Sequence, residues 1–146
     1  MTEFATGRYA TFEPPMGVPV QTSLGRPKFP LRYELREEVS ELMPRGLFGK
    51  GLSEAEFTAR YRERLAKVGV DRLRRQFDAI SRRHGGARLV CLCFEPVGQF
   101  CHRRVFAEWL QERTGQVVPE VEPAQLHLPT APAGAVLPTA PAGAGG

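Results

Sequence analysis

The sequence predicts a small α/β protein whose mostly parallel sheet is flanked by helices. The first observation is an unbroken apolar run at residues 89–94, directly after a helical pattern. Such a run is typical of a strand that is buried on both faces. The second observation is that helical and strand-like segments alternate along the chain. The third is the composition of the 146 residues, 42% hydrophobic and 25% charged, which is that of a folded domain.

The N-terminal third combines a short strand, a loop and an apolar repeat. Residues 17–23 predict a strand, and Pro19 favours a weak or edge strand because proline has no N–H group. Residues 25–30 contain two prolines and are expected to be non-helical. Apolar residues then recur at helical spacing and predict a helix that stops at Pro44. These residues are Leu35, Val39, Leu42 and Met43.

Two helices are predicted in the middle of the chain. Ser53 and Glu56 have the spacing of a capping box, and Gly69 ends the helix that follows them. Asp71 is expected to cap a second helix that ends at Gly85. The apolar stripes of the two helices are Phe57, Tyr61, Leu65 and Val68, then Leu73, Phe77 and Ile80.

A strand, a short loop and a final helix form the organising unit of the predicted fold. The strand is the run at 89–94, and its alternation places Cys91 and Cys93 on the same face. The final helix is expected over residues 101–112, and residues 116–118 form a candidate last strand. The inward face of this helix comprises Val105, Phe106, Trp109 and Leu110.

The C-terminal segment has a different composition. Residues 119–146 hold six Pro, four Gly and seven Ala, and they include an eight-residue repeat that begins at Leu128 and Leu137. Such a segment cannot bury enough apolar surface to offset the entropy of ordering it. The sequence therefore predicts one α/β domain in residues 1–122, with a body from about Tyr9 to Val121, and a disordered tail in residues 123–146.

Charge and cysteine content narrow the function classes. Twenty Lys and Arg against sixteen Asp and Glu give a net charge of +4, which is compatible with an anionic partner. No apolar run approaches the roughly 20 residues that a membrane helix needs, and the N-terminus lacks the features of a signal peptide. We therefore expect no membrane association and a cytoplasmic location, where the three cysteines stay reduced.

Candidate site residues lie where the apolar strand ends and the final helix begins. In open α/β sheets, ligands bind beyond the carboxyl ends of the strands. Free amide groups and the helix dipole at a helix start favour an anion there and lower the pKa of a nearby thiol. The sequence therefore predicts one catalytic cluster, formed by Cys93, Glu95, Cys101, His102 and Arg103.

Two functions are compatible with this cluster. In an enzyme, Cys93 or Cys101 would be the thiolate, His102 would move protons and Arg103 would hold an anionic group such as phosphate. Glu95 would orient His102 or act as a base. The substrate would be a nucleotide, a nucleic acid or another phosphorylated molecule, which Arg26 and Lys28 would help to bind. The alternative is a binding module without catalysis, in which phosphates contact Arg26, Lys28, Arg74, Arg75 and Arg103.

A structural zinc site is a further alternative, with Cys91, Cys93, Cys101 and His102 as nominal ligands. Two features argue against it. Cys91 lies inside the apolar strand, and adjacent residues such as Cys101 and His102 diverge by about 100° on a helix. The sequence therefore predicts no metal and no cofactor.

The cluster also has a distinctive pattern, which is Cys93-Phe94-Glu95 followed by Cys101-His102-Arg103-Arg104 at a helix start. This pattern resembles family 488 of the domains of unknown function. Residues 22–29 are similar to the early basic loop of that family, and residues 48–65 to its shorter subgroup with a Phe-Gly-x-Gly loop. The likeness covers about residues 18–123. It implies a small α/β fold with an active site at the five cluster residues, whereas the Asp-Val-Arg strand of typical members is absent.

Overall fold

The computed structural model describes residues 2–123, which form an all-parallel four-stranded sheet and three α-helices. The predicted α/β class is therefore confirmed. The strands are β1 (Phe4–Arg8), β2 (Val18–Gln21), β3 (Glu37–Glu38) and β4 (Leu89–Cys93), and the helices are α1 (Glu54–Val68), α2 (Val70–Arg83) and α3 (His102–Thr114). Short 3₁₀ turns occur at Pro14–Met16 and Ser40–Leu42. Within residues 2–123, every helix is too short or too polar to cross a membrane.

The apolar run that follows the two predicted helices forms β4, which lies inside the sheet. The strand order is β1-β4-β2-β3, so β4 pairs with β1 on one side and with β2 on the other. All five residues of β4 are buried. Because both faces of this strand are covered, it needs apolar side chains at every position rather than at alternate ones.

The first strand was not predicted, since the body of the domain was expected to begin near Tyr9. In the structure β1 lies before that residue, and Phe4 pairs with Leu89. Ala5 and Thr6 are completely buried. A five-residue strand that contains a threonine, a glycine and an arginine has too weak an apolar pattern to be recognised without its partner β4.

Pro19 does not mark an edge strand, because β2 lies between β4 and β3. The backbone N–H of Val18 donates to Arg88 O at 2.8 Å, and that of Thr22 donates to Leu92 O at 3.4 Å. Alternation along the strand therefore turns the nitrogen of Pro19 away from β4. The nitrogen of Pro19 therefore faces β3. Because β3 pairs with Val20 and Gln21 and does not reach Pro19, the missing N–H removes no hydrogen bond from the ladder.

The helix predicted before Pro44 is wrong, because that segment contains β3 and a 3₁₀ turn. The backbone N–H of Val39 donates to Gln21 O at 3.1 Å, which ties the segment to the sheet. Leu35 packs in one core cluster, whereas Val39 and Leu42 pack in the other. The helical spacing of these residues therefore does not correspond to a single buried face.

The predicted capping box of α1 is confirmed. The backbone N–H of Glu56 donates to Ser53 Oγ at 3.1 Å, and the N–H of Ser53 donates to Glu56 Oε1 at 2.9 Å. In α2 the cap is Gly69, and Asp71 lies in the first turn rather than at the cap. The predicted apolar stripes of α1 and α2 are buried, except for the partly exposed Val68.

The two faces of the sheet are covered differently. The buried residues of α1, α2 and α3 share one core cluster with Leu89 and Cys91. Val90 and Leu92 point to the opposite face, where non-helical segments cover them. The residues of this second cluster include Ala5, Tyr9, Phe12, Met16 and Leu35. The predicted alternation of β4 is thus confirmed, and Cys91 and Cys93 point toward the helices.

The chain after α3 returns to the sheet beside β1. The N–H of Thr6 donates to Pro119 O at 2.8 Å, and the N–H of Val121 donates to Thr6 O at 2.8 Å. Pairing therefore begins just after the expected strand at residues 116–118 and is limited to a bridge between Thr6 and Glu120. The predicted disordered tail comprises residues 123–146. All of it except Pro123 lies outside the described residues.

Replacing Gly17 by Ala is expected to destabilise the fold by about 2–3 kcal/mol, since its backbone conformation is one that only glycine adopts readily. Gly17 has φ of +143°, and an added Cβ would lie 2.5 Å from Arg88 O. Urea unfolding of the variant measures this loss. Gly25→Ala is the matched control, because no atom lies within 4 Å of the Cβ it would add. Equal stability of the two variants would contradict the explanation.

Candidate thiol–imidazole site

The connection from β4 to α3 brings the five predicted cluster residues together. Cys93 ends β4, Glu95 lies in the loop that follows, and Cys101 is the N-cap of α3. His102 and Arg103 form the first turn of that helix. Cys93, Cys101, His102 and Arg103 are each less than 5% exposed, and Glu95 is partly exposed. The site is therefore a buried polar cluster at the carboxyl edge of the sheet.

The imidazole of His102 has a defined orientation. Its Nε2 lies 2.8 Å from Thr22 O. A carbonyl oxygen can only accept a hydrogen bond, so Nε2 carries the proton and Nδ1 of the neutral ring has a free lone pair. Nδ1 lies 3.8 Å from Cys93 Sγ and 3.9 Å from Cys101 Sγ. His102 can therefore accept a proton from either thiol.

The ring of Tyr61 supports this orientation from the helical side. Its centroid lies 5.6 Å from that of His102, and the two ring planes are nearly perpendicular at 84°. The hydroxyl group of Tyr61 donates to Leu42 O, and the tyrosine is completely buried. Because burial and the hydrogen bond of its hydroxyl group hold Tyr61 in place, its ring limits rotation of the imidazole.

The two thiols of the cluster have opposite electrostatic environments. The pKa of Cys101 is lowered to about 6, despite burial, by hydrogen bonds with Cys93 and His102, by the positive charge that His102 carries once Nδ1 has accepted the thiol proton, and by the charge of Arg103. The pKa of Cys93 is raised by its hydrogen bond with Cys101, by burial and by the negative charge of Glu95. Cys101 is therefore the thiol that ionises first, and Cys93 keeps its proton.

Glu95 is the carboxylate of the cluster. Cys93 Sγ donates to Glu95 Oε1 at 3.1 Å. Burial alone would raise the pKa of Glu95, but hydrogen bonds from Cys101 and Cys93 outweigh this effect and lower the pKa. Glu95 is thus a hydrogen-bond acceptor for the thiols. In the structure it has no hydrogen bond to His102, which was one of its expected roles.

Cys91 is separate from this chemistry. It points to the same face as Cys93 but is completely buried among apolar side chains. Burial raises its pKa to about 12. Among the described residues, the group whose atoms could share a metal ion comprises Cys93, Cys101 and His102, without Cys91. Cys91 is therefore a residue of the core.

The expected divergence of Cys101 and His102 does not occur. Cys101 has the extended conformation of an N-cap residue, with φ of −153° and ψ of 141°. The 100° rotation between neighbours applies only when both residues are helical. Because Cys101 precedes the first helical residue, its side chain turns toward Nδ1 of His102.

Arg103 is held by an acidic residue that the sequence analysis did not include in the site. Its Nε and Nη2 atoms donate to the two carboxylate oxygens of Glu120 at 3.1 and 2.7 Å. Nη2 also donates to Glu95 O at 2.8 Å. Nη1 is buried and has no hydrogen-bond partner within residues 2–123. Only this nitrogen remains for the predicted contact with a substrate anion.

A second layer of polar residues supports Glu120. Thr6 Oγ1 donates to Glu120 Oε1 at 2.6 Å. Arg104 Nη1 donates to Thr6 Oγ1 at 2.7 Å and to Val118 O at 2.9 Å. These contacts join β1, α3 and the segment after α3. The network therefore fixes the carboxylate of Glu120 that binds Arg103.

A cavity of about 450 Å³ adjoins the cluster at Arg103. Its other lining residues are Glu54, Val97, Gly98, Gln99, Phe100, Arg104, Glu108 and Glu120. The loop that connects β4 to α3 forms one wall, and the exposed side chains of Val97 and Phe100 lie at this wall. The cavity offers a polar route toward Arg103 beside an apolar surface.

The predicted substrate-binding residues Arg26 and Lys28 are not joined to the cluster. Arg26 Nη1 donates to Leu35 O at 3.0 Å, and Lys28 is exposed. Neither forms a hydrogen bond or ion pair with the cluster within the described part of the chain. The structure links their loop to the site through Thr22 at its start.

The basic face of α2 is partly neutralised. Arg72 pairs with Glu41 at 3.0 Å, and Arg83 pairs with Glu37 at 2.6 Å. His84 Nε2 also lies 2.8 Å from Glu37 Oε2. Arg74 and Arg75 lie outside these pairs. The charge available for a phosphate backbone is therefore smaller than the sequence suggests.

Three residues of the site were not found by sequence reasoning. Thr22 acts through its backbone oxygen, which has no residue-specific signal. Tyr61 was assigned to the apolar stripe of α1, and its second role depends on contact with α3. Glu120 was counted with the segment rich in proline and alanine, although Val118 and Val121 on either side of it indicated a return to the core.

Comparisons of the chain with protein-family models, with curated proteins and with solved structures found no match.

Proposed function

We propose that this protein is a thiol-dependent enzyme that acts on an anionic substrate, of the nucleotide or nucleic-acid class. The observation that carries the proposal is the orientation of His102, whose Nδ1 lone pair faces two thiols while Nε2–H donates to Thr22 O. A thiol next to an oriented imidazole is the arrangement that generates a thiolate nucleophile. The three free cysteines fit a reducing, cytoplasmic setting.

Cys101 is the better nucleophile of the pair. It lies at the N-cap of α3, where the helix dipole favours a negative charge. In the proposed reaction the Cys101 proton has moved to His102 Nδ1 in the free enzyme, and the sulfur lone pair forms a bond to an electrophilic atom of the substrate. The bond to the leaving group breaks with its electron pair, and His102 gives the proton to that group. A water molecule then attacks the same atom and gives a proton to His102, and the substrate–sulfur bond breaks to return Cys101 as the thiolate. Cys93 keeps its proton and donates a hydrogen bond to Glu95 Oε1.

The substrate anion is held by the start of α3. The backbone N–H of Arg104 already donates to Cys101 O at 3.1 Å, so the N–H groups of His102 and Arg103 at the helix start are the ones that favour an anion. Nη1 of Arg103 adds a buried donor without a partner in residues 2–123. Because Glu120 already balances the charge of Arg103, this nitrogen contributes a hydrogen bond more than a net charge.

The resemblance to family 488 of the domains of unknown function supports the location of the active site, although it supplies no reaction. The two parts of that pattern, Cys93-Phe94-Glu95 and Cys101-His102-Arg103, meet around one imidazole. A role as a phosphate-binding module has less support, because Glu120 pairs with Arg103, one of the cations that this role requires. Glu41 and Glu37 also pair with Arg72 and Arg83, which neighbour Arg74 and Arg75 on α2 or lie near its end.

The test is a turnover screen with the reduced chain against nucleoside phosphates, phosphorylated sugars and single-stranded DNA and RNA. Any turnover found is expected to fall by about 1,000-fold or more in Cys101→Ser, as for other nucleophile replacements. Cys91→Ala is the control and should retain the rate of the original chain, because Cys91 does not contact His102. Full turnover by a Cys93→Ala, Cys101→Ala double variant would exclude thiol catalysis.

A further inference from the structure

We propose that Cys93, Cys101 and His102 form a binding site for one zinc ion. The ligand atoms Cys93 Sγ, Cys101 Sγ and His102 Nδ1 all lie within 4.8 Å of one another, and all three residues are buried. Two thiolates and one imidazole form a ligand set of catalytic zinc sites, in which the fourth position stays open. The inference does not depend on the proposed enzyme function, since a chain without activity would still bind the ion.

The distances are close to those of a bound tetrahedral ion. Zinc binds sulfur at about 2.3 Å and imidazole nitrogen at about 2.0–2.1 Å, so the two ligand atoms are about 3.6 Å apart. In the structure the two sulfur atoms lie 3.8 and 3.9 Å from Nδ1. The two sulfur atoms lie within 4.8 Å of each other, whereas they would be about 3.8 Å apart around a tetrahedral ion. Binding would therefore move each sulfur a few tenths of an ångström toward Nδ1 and bring the two sulfurs up to about 1 Å closer together.

The imidazole is oriented as in other metal-binding histidines. Such residues donate their second ring N–H to a carbonyl or carboxylate, which fixes the ring and directs the free lone pair at the metal. His102 does this through Nε2 and Thr22 O, at 2.8 Å. Thr22 follows β2 and His102 begins α3, so two different elements hold the ring in place.

The charges of the zinc ion and its three ligands also balance. A zinc ion with two thiolates and a neutral imidazole carries no net charge, which reduces the cost of burying it. The positive charge of Arg103 is already paired with Glu120 at 2.7 Å. The carboxylate of Glu95 lies 3.1 Å from Cys93 Sγ and is not part of this group of ligand atoms. A bound ion would also use the lone pair of Cys101 that the proposed reaction requires, so zinc would inhibit the enzyme.

The first experiment is a titration of the reduced, metal-free chain with Co²⁺, whose visible and near-ultraviolet spectrum reports tetrahedral geometry and thiolate ligands. We expect one Co²⁺ per chain, displaced by Zn²⁺. Cys93→Ser, Cys101→Ser and His102→Asn should each weaken binding by at least about tenfold, the scale for altered zinc sites. Cys91→Ala is the matched control and should bind as the original chain does.

The second experiment needs no variant and so remains informative if a substitution prevents folding. Cys93 and Cys101 are 3% and 4% exposed, so they should react slowly with N-ethylmaleimide in the metal-free native chain. Zinc should lower that rate further, and EDTA should restore it. Cys91, which is completely buried, should be equally unreactive in both states. Absence of a thiolate-to-cobalt band, unchanged labelling of Cys93 and Cys101 with zinc, or equal weakening by Cys91→Ala would overturn the zinc site. Those results would leave turnover by the metal-free enzyme unaffected, so the two proposals fail separately.

Discussion

Cys101 is expected to be mostly ionised at pH 7 in the reduced, metal-free protein, because its pKa is lowered to about 6. An ordinary cysteine with a pKa of about 8.5 is mostly protonated at that pH. The causes of the lowered pKa are the hydrogen bonds with Cys93 and His102 and the nearby positive charges. Ultraviolet absorbance of the thiolate, followed against pH, measures this ionisation.

Two variants identify the source of the signal. Cys101→Ser should remove the absorbance step near pH 6, whereas Cys91→Ala should leave it unchanged, because burial raises the pKa of Cys91 to about 12. His102→Asn should move the step to higher pH, since it removes both a hydrogen bond and a positive charge next to Cys101. A step near pH 6 that persists in Cys101→Ser would refute the assignment of the reactive thiol.

Removing the carboxylate of Glu120 should have the largest effect on stability. The side chain of Arg103 is 1% exposed and that of Glu120 is 13% exposed. Glu120→Ala leaves a buried guanidinium without its counter-charge, a change that costs about 3–5 kcal/mol in other proteins. Urea unfolding should therefore show a loss of about 3 kcal/mol. The exposed Glu108→Ala is the control and should change the free energy of unfolding by less than about 0.5 kcal/mol.

The effect of Glu120 should depend on pH in a defined direction. Burial by itself would raise the pKa of Glu120, but hydrogen bonds from Arg103 and Thr6 lower it below the ordinary value. A carboxyl group whose pKa is lower in the folded state contributes its full stability above its unfolded pKa of about 4.3. That contribution is lost as the pH falls through the lower folded pKa. The stability difference between the original chain and Glu120→Gln should therefore shrink in acid.

An Arg103→Met substitution in the Glu120→Gln background provides the complementary test. Replacing both charges of a buried pair with well-packed side chains is often close to neutral. The double variant should therefore be more stable than Glu120→Gln alone. If it is less stable, the contribution of Arg103 lies in its packing or in its bond to Glu95 O rather than in the ion pair.

The sequence by itself determined the elements whose signals are local. The capping box of Ser53 and Glu56, the apolar stripes of α1 and α2, and the run of β4 all depend on residues close together in the chain. The five cluster residues could be predicted for the same reason, because they lie close together in residues 93–103, which join one strand to the next helix. In a parallel sheet a strand end and the following helix start lie at the same edge, so their side chains meet.

Only the tertiary structure decided what depends on distant partners. Phe4–Arg8 is a strand because β4 lies beside it, and the segment near Glu37 pairs with β2 instead of forming a helix. The proton position on His102 depends on Thr22 O, eighty residues away in the chain. The choice of Cys101 over Cys93 as the thiolate depends on their surroundings in three dimensions, as does the role of Glu120. Sequence patterns record which side chains can be buried, whereas hydrogen bonds and charges across the fold decide which of them react.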